Sequence, residues 1–109
     1  MKNLSFLLLF LLSSCTYNEL PISEITICET NSPSFSDCVL PIVEDNCVSC
    51  HSENGGQSPF LTSFPEIKLA VDNDDLLARI NDNMPPGNLM NSSDIFIIEN
   101  WIDEGTQNN

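Results

Sequence analysis

Basic side chains are scarce in this chain. Sixteen aspartate and glutamate residues stand against only three lysines and arginines, so the formal net charge is −13. A surface of this sign repels nucleic-acid phosphates and anionic lipid headgroups, and neither is expected as a partner. The same charge favours a basic protein partner, with association rates that fall as salt is added.

Long apolar runs are also absent, because the apolar stretch at residues 4–12 is too short to span a bilayer as a helix. It follows Lys2 and precedes small residues, an order typical of a signal peptide. Leu12-Ser13-Ser14-Cys15 resembles the bacterial lipobox, which implies that residues 1–14 are a lipoprotein signal peptide and that Cys15 is acylated. Ordinary cleavage that leaves Cys15 as a free thiol is the alternative. We therefore expect an exported protein, lipid-anchored to a bacterial membrane on its periplasmic or cell-surface side.

Removal of residues 1–14 from the 109-residue chain would leave 95 residues, enough for one small domain. A core of that size usually depends on a metal, disulfides or a cofactor. Residues 15–36 are polar and rich in turn-forming residues, which predicts a lipid anchor and flexible tether. Residues 37–109 are then expected to form the domain.

The pattern in residues 37–109 predicts short helices and no strand, so the expected fold class is all-α. Helix starts are placed near Pro41, Ser63, Asn73 or Asp74, and Ser92 or Ser93. The last helix presents a stripe of Ile95, Ile98 and Ile102, and Gly105 is expected to stop it. Apolar side chains are predicted to form the core, namely Phe60, Leu61, Phe64, Ile67, Leu76, Leu77, Ile80, Leu89, Ile95, Ile98 and Trp101.

The segment Cys47-Val48-Ser49-Cys50-His51 has the spacing of a covalent haem attachment site. Two thiols three positions apart can each add across one vinyl group of the porphyrin, and the adjacent imidazole gives the tethered iron its first ligand. A Cys-x-x-Cys pair without the histidine would be equally typical of a redox dithiol or half of a zinc site. The segment therefore predicts one covalently bound haem c.

A single histidine in the whole chain limits the second iron ligand. Ligation by two histidines of one chain is excluded, and serine or threonine residues have no second imidazole as a catalytic base, so an enzyme is not expected. Met84 lies 33 residues after His51 and precedes Pro85-Pro86, which stiffen its loop. Met90 is the alternative but has no such scaffold. A thioether opposite an imidazole favours ferrous iron and suits electron transfer.

Two cysteines remain after lipid and haem are assigned. Cys28 and Cys38 are predicted to form a disulfide, because export places them in an oxidising compartment. Free thiols in a mobile segment are the alternative.

These motifs together resemble those of the small monohaem class I cytochromes c, and more narrowly of bacterial lipoprotein cytochromes with a distal Met-Pro-Pro loop. The resemblance covers residues 41–105 and depends on Pro41-Ile42, Asn46-Cys47-Val48-Ser49-Cys50-His51, Met84-Pro85-Pro86 and Trp101-Ile102-x-x-Gly105. It implies thioether bonds at two cysteines, a proximal histidine and a distal methionine, namely Cys47, Cys50, His51 and Met84. It also implies a class I cytochrome c-like domain of short helices wrapped around one covalently bound haem, with the terminal helix crossing the first. Many members place an aromatic–glycine contact at that crossing, whereas Ile42-Val43 offers only aliphatic side chains.

The expected function is a lipid-anchored c-type cytochrome that carries single electrons between redox partners outside the cytoplasmic membrane. One alternative is a haem-bearing sensor or accessory subunit of a larger redox complex. Another is a zinc-binding structural module built from the four cysteines Cys28, Cys38, Cys47 and Cys50, although nine residues separate the first two. A thiol oxidoreductase using the Cys-x-x-Cys pair is a third, although no strands of a thioredoxin-like sheet are predicted.

Overall fold

The computed structural model of the protein describes residues 28–109, and these form helices and loops without a strand. A π-helical segment, Phe35–Val39, continues directly into α1 (Leu40–Asn46), and α2 (Phe64–Asn73), α3 (Leu76–Asp82) and α4 (Ser92–Asp103) follow. The all-α prediction is confirmed for this part of the chain. The predicted signal peptide, Cys15 and most of the predicted tether lie outside the described residues. None of the helices described is long and apolar enough to cross a membrane.

The π-helical segment begins before the predicted start of the domain. Ser34 caps it, since its Oγ accepts a hydrogen bond from the Asp37 N–H at 3.3 Å. Phe35 is 5% exposed and packs between Phe64 and Trp101, with ring centroids 5.0 and 5.6 Å away. Packing therefore extends N-terminal to the boundary predicted between residues 36 and 37, because the aromatic ring at position 35 is part of the core.

Pro41 lies where the π-helical segment changes into α1, and it has no N–H to donate to a carbonyl of the preceding turn. Pro41 occupies the first turn, and Ile42 and Val43 face the core. The helix ends at Asn46, and the Cys47 N–H donates to the Val43 carbonyl at 2.8 Å. This helix therefore delivers the first cysteine at its C-terminal end, as predicted from the proline.

The start of α2 is stabilised by a glutamate rather than by the serine at its N-cap. Ser63 makes no side-chain capping bond, whereas Glu66 accepts hydrogen bonds from the N–H and Oγ1 of Thr62 at 2.8 and 2.7 Å. These bonds stabilise the ionised carboxyl and hold the pKa of Glu66 below its usual value. The start of α2 is therefore where the sequence predicted it. The side chain that makes hydrogen bonds there is Glu66 and not Ser63.

The third helix begins later than predicted, at Leu76 rather than near Asn73 or Asp74. The preceding helix continues through Asn73, and Asp75 then adopts a left-handed conformation with φ of 53°. Aspartate tolerates this conformation better than most residues. The left-handed residue Asp75 changes the direction of the chain, so α3 begins two or three residues after the predicted start.

The last helix is capped by Asn91 and not by Ser92 or Ser93, which lie inside it. The Asp94 N–H donates to Asn91 Oδ1 at 2.8 Å, because the short amide reaches the free backbone donors of the first turn. At the other end, Gly105 takes a positive φ of 100°, and the Thr106 N–H donates to the Trp101 carbonyl at 3.0 Å. Glycine therefore ends this helix as predicted.

The buried face of α4 is shifted from the predicted isoleucine stripe. Ile97, Ile98 and Trp101 are buried, whereas Ile95 and Ile102 are half-buried. Two loop residues predicted as core are also exposed, Phe60 by 39% and Leu89 by 53%, because neither lies on a helix face that turns inward. Six of the eleven residues predicted as core are buried, namely Leu61, Ile67, Leu76, Ile80, Ile98 and Trp101, and the core also contains residues that the pattern did not select, among them Phe35, Val39, Val43 and Ile97.

We expect Phe35→Ala to lower the free energy of unfolding by about 3–5 kcal/mol, because it empties the centre of an aromatic cluster. Phe96→Ala is the matched control, since Phe96 is 48% exposed on α4 and should cost less than about 1 kcal/mol. Chemical denaturation of both variants gives the comparison. Equal costs would show that the domain begins after residue 36, as the sequence suggested.

Candidate functional site

A cavity of about 670 Å³ lies between the end of α1, the loop that follows it, α3 and the loop after α3. Its volume falls within the range of about 300–1,000 Å³ that is usual for cofactor and ligand pockets. The residues that line it include Cys47, Cys50, His51 and Met84. The two predicted ligand segments, 33 positions apart in sequence, therefore face one space.

The cysteine–histidine segment forms one tight turn directly after α1. The N–H groups of Cys50 and His51 donate to the Cys47 carbonyl at 3.2 and 2.9 Å. Cys50 is exposed, whereas Cys47 and His51 are half-buried. Neither thiol of this turn is in a disulfide, so both remain available for a bond to a group in the cavity.

Burial changes the chemistry of the first thiol. Because Cys47 is partly removed from water, the charged thiolate is disfavoured and the pKa of Cys47 is raised. Nucleophilic cysteines of thiol oxidoreductases have lowered pKa values, since the thiolate is the reactive form. This environment therefore does not support the thiol oxidoreductase alternative.

The imidazole of His51 is held by a backbone carbonyl. His51 Nδ1 lies 2.8 Å from the carbonyl oxygen of Pro59. A carbonyl only accepts, so Nδ1 carries the hydrogen and donates it, which leaves Nε2 of the neutral ring with a free lone pair. The Leu61 N–H also donates to the His51 carbonyl at 2.8 Å. The ring is thus fixed in the tautomer that ligates a metal through Nε2.

The two candidate methionines have different surroundings. Met84 is half-buried and lines the cavity, and its N–H donates to the Arg79 carbonyl at 2.9 Å. Met90 is 7% exposed and belongs to the hydrophobic core, outside the cavity lining. The geometry favours Met84 as the methionine that faces a group in the cavity.

Most of the buried wall of the cavity is apolar. Leu61, Ala70, Leu76 and Ile80 line it and are each less than 10% exposed. A wall of this kind suits a flat apolar ligand and keeps water away from it. Polar and charged residues, among them Asn46, Asp74 and Arg79, line the cavity as well.

The remaining two cysteines are joined to each other. Cys28 and Cys38 form a disulfide with Cα atoms 5.4 Å apart. Sulfurs in a disulfide are not thiolate ligands, so these two cannot complete a four-cysteine zinc site with Cys47 and Cys50. Among residues 28–109, no three histidine, cysteine or acidic side chains come together as a metal-binding group.

Comparisons of the chain with protein-family models, with curated proteins and with solved structures gave no match.

Several residues of the site were not found from the sequence. The Pro59 carbonyl contributes a backbone atom, and no side-chain pattern marks it. Outside the cavity lining, Phe35 supplies an aromatic contact to the last helix that Ile42-Val43 lacks, and this residue lies in the predicted tether. Arg79 could have been singled out, since it and Lys68 are the only basic residues of the predicted domain apart from the histidine.

Gly55 supports the turn by packing against its backbone. A Cβ atom at this position would collide with the carbonyl oxygens of Ser49 and Cys50. Neither oxygen can move without displacing the Cys-x-x-Cys turn, so glycine is required here for close approach.

We expect Gly55→Ala to cost about 3 kcal/mol of stability, because the collision is with backbone atoms. Gly56→Ala is the matched control, since its Cβ would meet nothing within 4 Å and only its φ of 76° is unfavourable, at about 1 kcal/mol. Denaturation midpoints with equal m-values test the difference. The reverse order of the two costs would contradict the close packing at Gly55.

Proposed function

We propose that the protein is a c-type cytochrome of the class I kind that carries single electrons. The observation that supports this most directly is the shared cavity of His51 and Met84, with Cys47 and Cys50 in the same lining. An imidazole, a thioether and two free thiols are the donor set that a covalently attached six-coordinate haem requires. No metal-thiolate or hydrolytic site accounts for all four.

The residues fit haem in their individual chemistry. Cys47 and Cys50 would hold the two vinyl-derived carbons, His51 would bind the iron through Nε2, and Met84 would supply the other protein ligand. Bound haem would provide an iron that alternates between the ferric and ferrous states. The protein's own contribution is to fix the imidazole tautomer through Pro59, to hold the methionine loop on α3 and to exclude water with an apolar wall.

The net charge supports a basic redox partner. Lys68 and Arg79 are the only lysine and arginine in residues 28–109, and Lys68 is already paired with Asp72 at 2.9 Å. An acidic surface accelerates encounter with a basic docking face, and this electrostatic attraction weakens as salt is added. Together with the lipobox-like segment that ends at Cys15, this charge supports a carrier on a membrane surface outside the cytoplasm that exchanges electrons with other proteins.

Covalent attachment is the first test. Produced together with a c-type cytochrome maturation system, the wild-type protein should retain haem on a denaturing gel and show a sharp Soret band. The Cys47→Ser, Cys50→Ser double variant should lose the haem stain, because no thiol remains to add to the vinyl groups. A wild-type protein that contains stoichiometric zinc and no haem would disprove the proposed function.

Axial ligation by Met84 is tested by two substitutions of equal size. Met84→Leu removes the thioether but keeps the volume, and we expect it to abolish the sulfur-to-iron charge-transfer band and to lower the reduction potential. Met90→Leu makes the same change in the core and should leave both unchanged. Absorbance spectra and redox titrations of the holoproteins give the answer, and an unchanged band in Met84→Leu would assign the ligand elsewhere.

A further inference from the structure

We propose that Arg79 binds a propionate group of the haem and thereby raises the reduction potential of the iron. This inference rests on the proposed function, since it requires haem in the cavity. It concerns a residue that the ligand motifs do not include.

Position is the first support for this role. Arg79 lies on α3 and lines the cavity, and its backbone carbonyl accepts hydrogen bonds from the N–H groups of Asn83 and Met84, both at 2.9 Å. The residue that anchors the methionine loop therefore also places a guanidinium beside the same space. Because the side chain is otherwise exposed, it is free to turn toward a carboxylate at the cavity rim.

Charge is the second support. Asp74 and Asp75 are among the residues that line the cavity, and haem would bring two more carboxylates in its propionates. Arg79 is the only lysine or arginine in the lining, and in residues 28–109 it takes part in no ion pair. Carboxylates at the edge of an apolar site are unfavourable unless they are paired or hydrated. An arginine is always charged and binds a carboxylate through two parallel N–H donors, so it suits this position better than a lysine.

The expected consequence concerns the iron. An uncompensated propionate stabilises the ferric state, which has one more positive charge than the ferrous state. A guanidinium that pairs with the propionate offsets this field and shifts the equilibrium toward ferrous iron. Arg79 is therefore a positioning and tuning residue, and its removal should change the potential without removing an iron ligand.

Three variants of the holoprotein separate this role from a general charge effect. Arg79→Gln and Lys68→Gln each remove one positive charge, but Lys68 lies outside the cavity lining and is paired with Asp72. We expect Arg79→Gln to shift the ferric–ferrous equilibrium toward ferric iron by about tenfold, which lowers the midpoint potential by about 59 mV for one electron. Lys68→Gln should shift it by less than about threefold, as expected for an exposed and screened charge. Arg79→Lys should restore most of the potential, because it keeps the charge and loses only the bidentate geometry.

The outcomes are distinguishable in one set of redox titrations and absorbance spectra. Equal shifts in the two glutamine variants, with haem attached in both, would overturn the role of Arg79 and leave the proposed function intact. Loss of the sulfur-to-iron charge-transfer band in Arg79→Gln would also overturn it, because the effect would then come from a displaced Met84. Absence of haem from the wild-type protein would instead overturn the proposed function together with this inference.

Discussion

The hydrogen bond between His51 Nδ1 and the Pro59 carbonyl is the contact on which the candidate site depends. It joins the turn after α1 to the loop that leads into α2, and the bond from the Leu61 N–H to the His51 carbonyl closes the same connection. Without it the imidazole could rotate and exchange tautomers, and Nε2 would have no fixed relation to the cavity. One backbone carbonyl thus determines which nitrogen of the only histidine is available as a ligand.

The other half of the site is built independently. Met84 reaches the cavity because α3 ends at Asp82 and the chain bonds back to the Arg79 carbonyl. The two halves share no hydrogen bond, so they are brought together by the apolar residues between them, such as Leu61 and Ile80. A haem would add buried apolar surface at that junction, and a small domain buries little apolar surface of its own. Folding and haem binding are therefore expected to support each other.

Sequence patterns predicted the helices well where one residue sets a boundary. Pro41 lies in the first turn of α1 and Gly105 follows the end of α4, as predicted, because proline fixes φ and glycine allows a positive φ. Patterns were less accurate where several neighbouring residues can each cap a helix. Ser92 and Ser93 were the predicted N-caps of the last helix, but Asn91 is the residue that caps it. The cysteine–histidine segment was evident from spacing alone, whereas its turn and the Pro59 contact depend on how the chain folds back. Contacts between distant segments, such as Phe35 with Trp101, leave no periodic signal in either segment.

The disulfide between Cys28 and Cys38 has a mechanical consequence for a protein held by its N-terminal side. Tension that reaches Cys28 along the chain would pass through the two sulfurs directly to Cys38. The covalent path thereby bypasses residues 29–37, and Phe35 would carry none of the load. A pull of this kind would then reach Cys38, just before the first helix, without pulling the aromatic cluster apart.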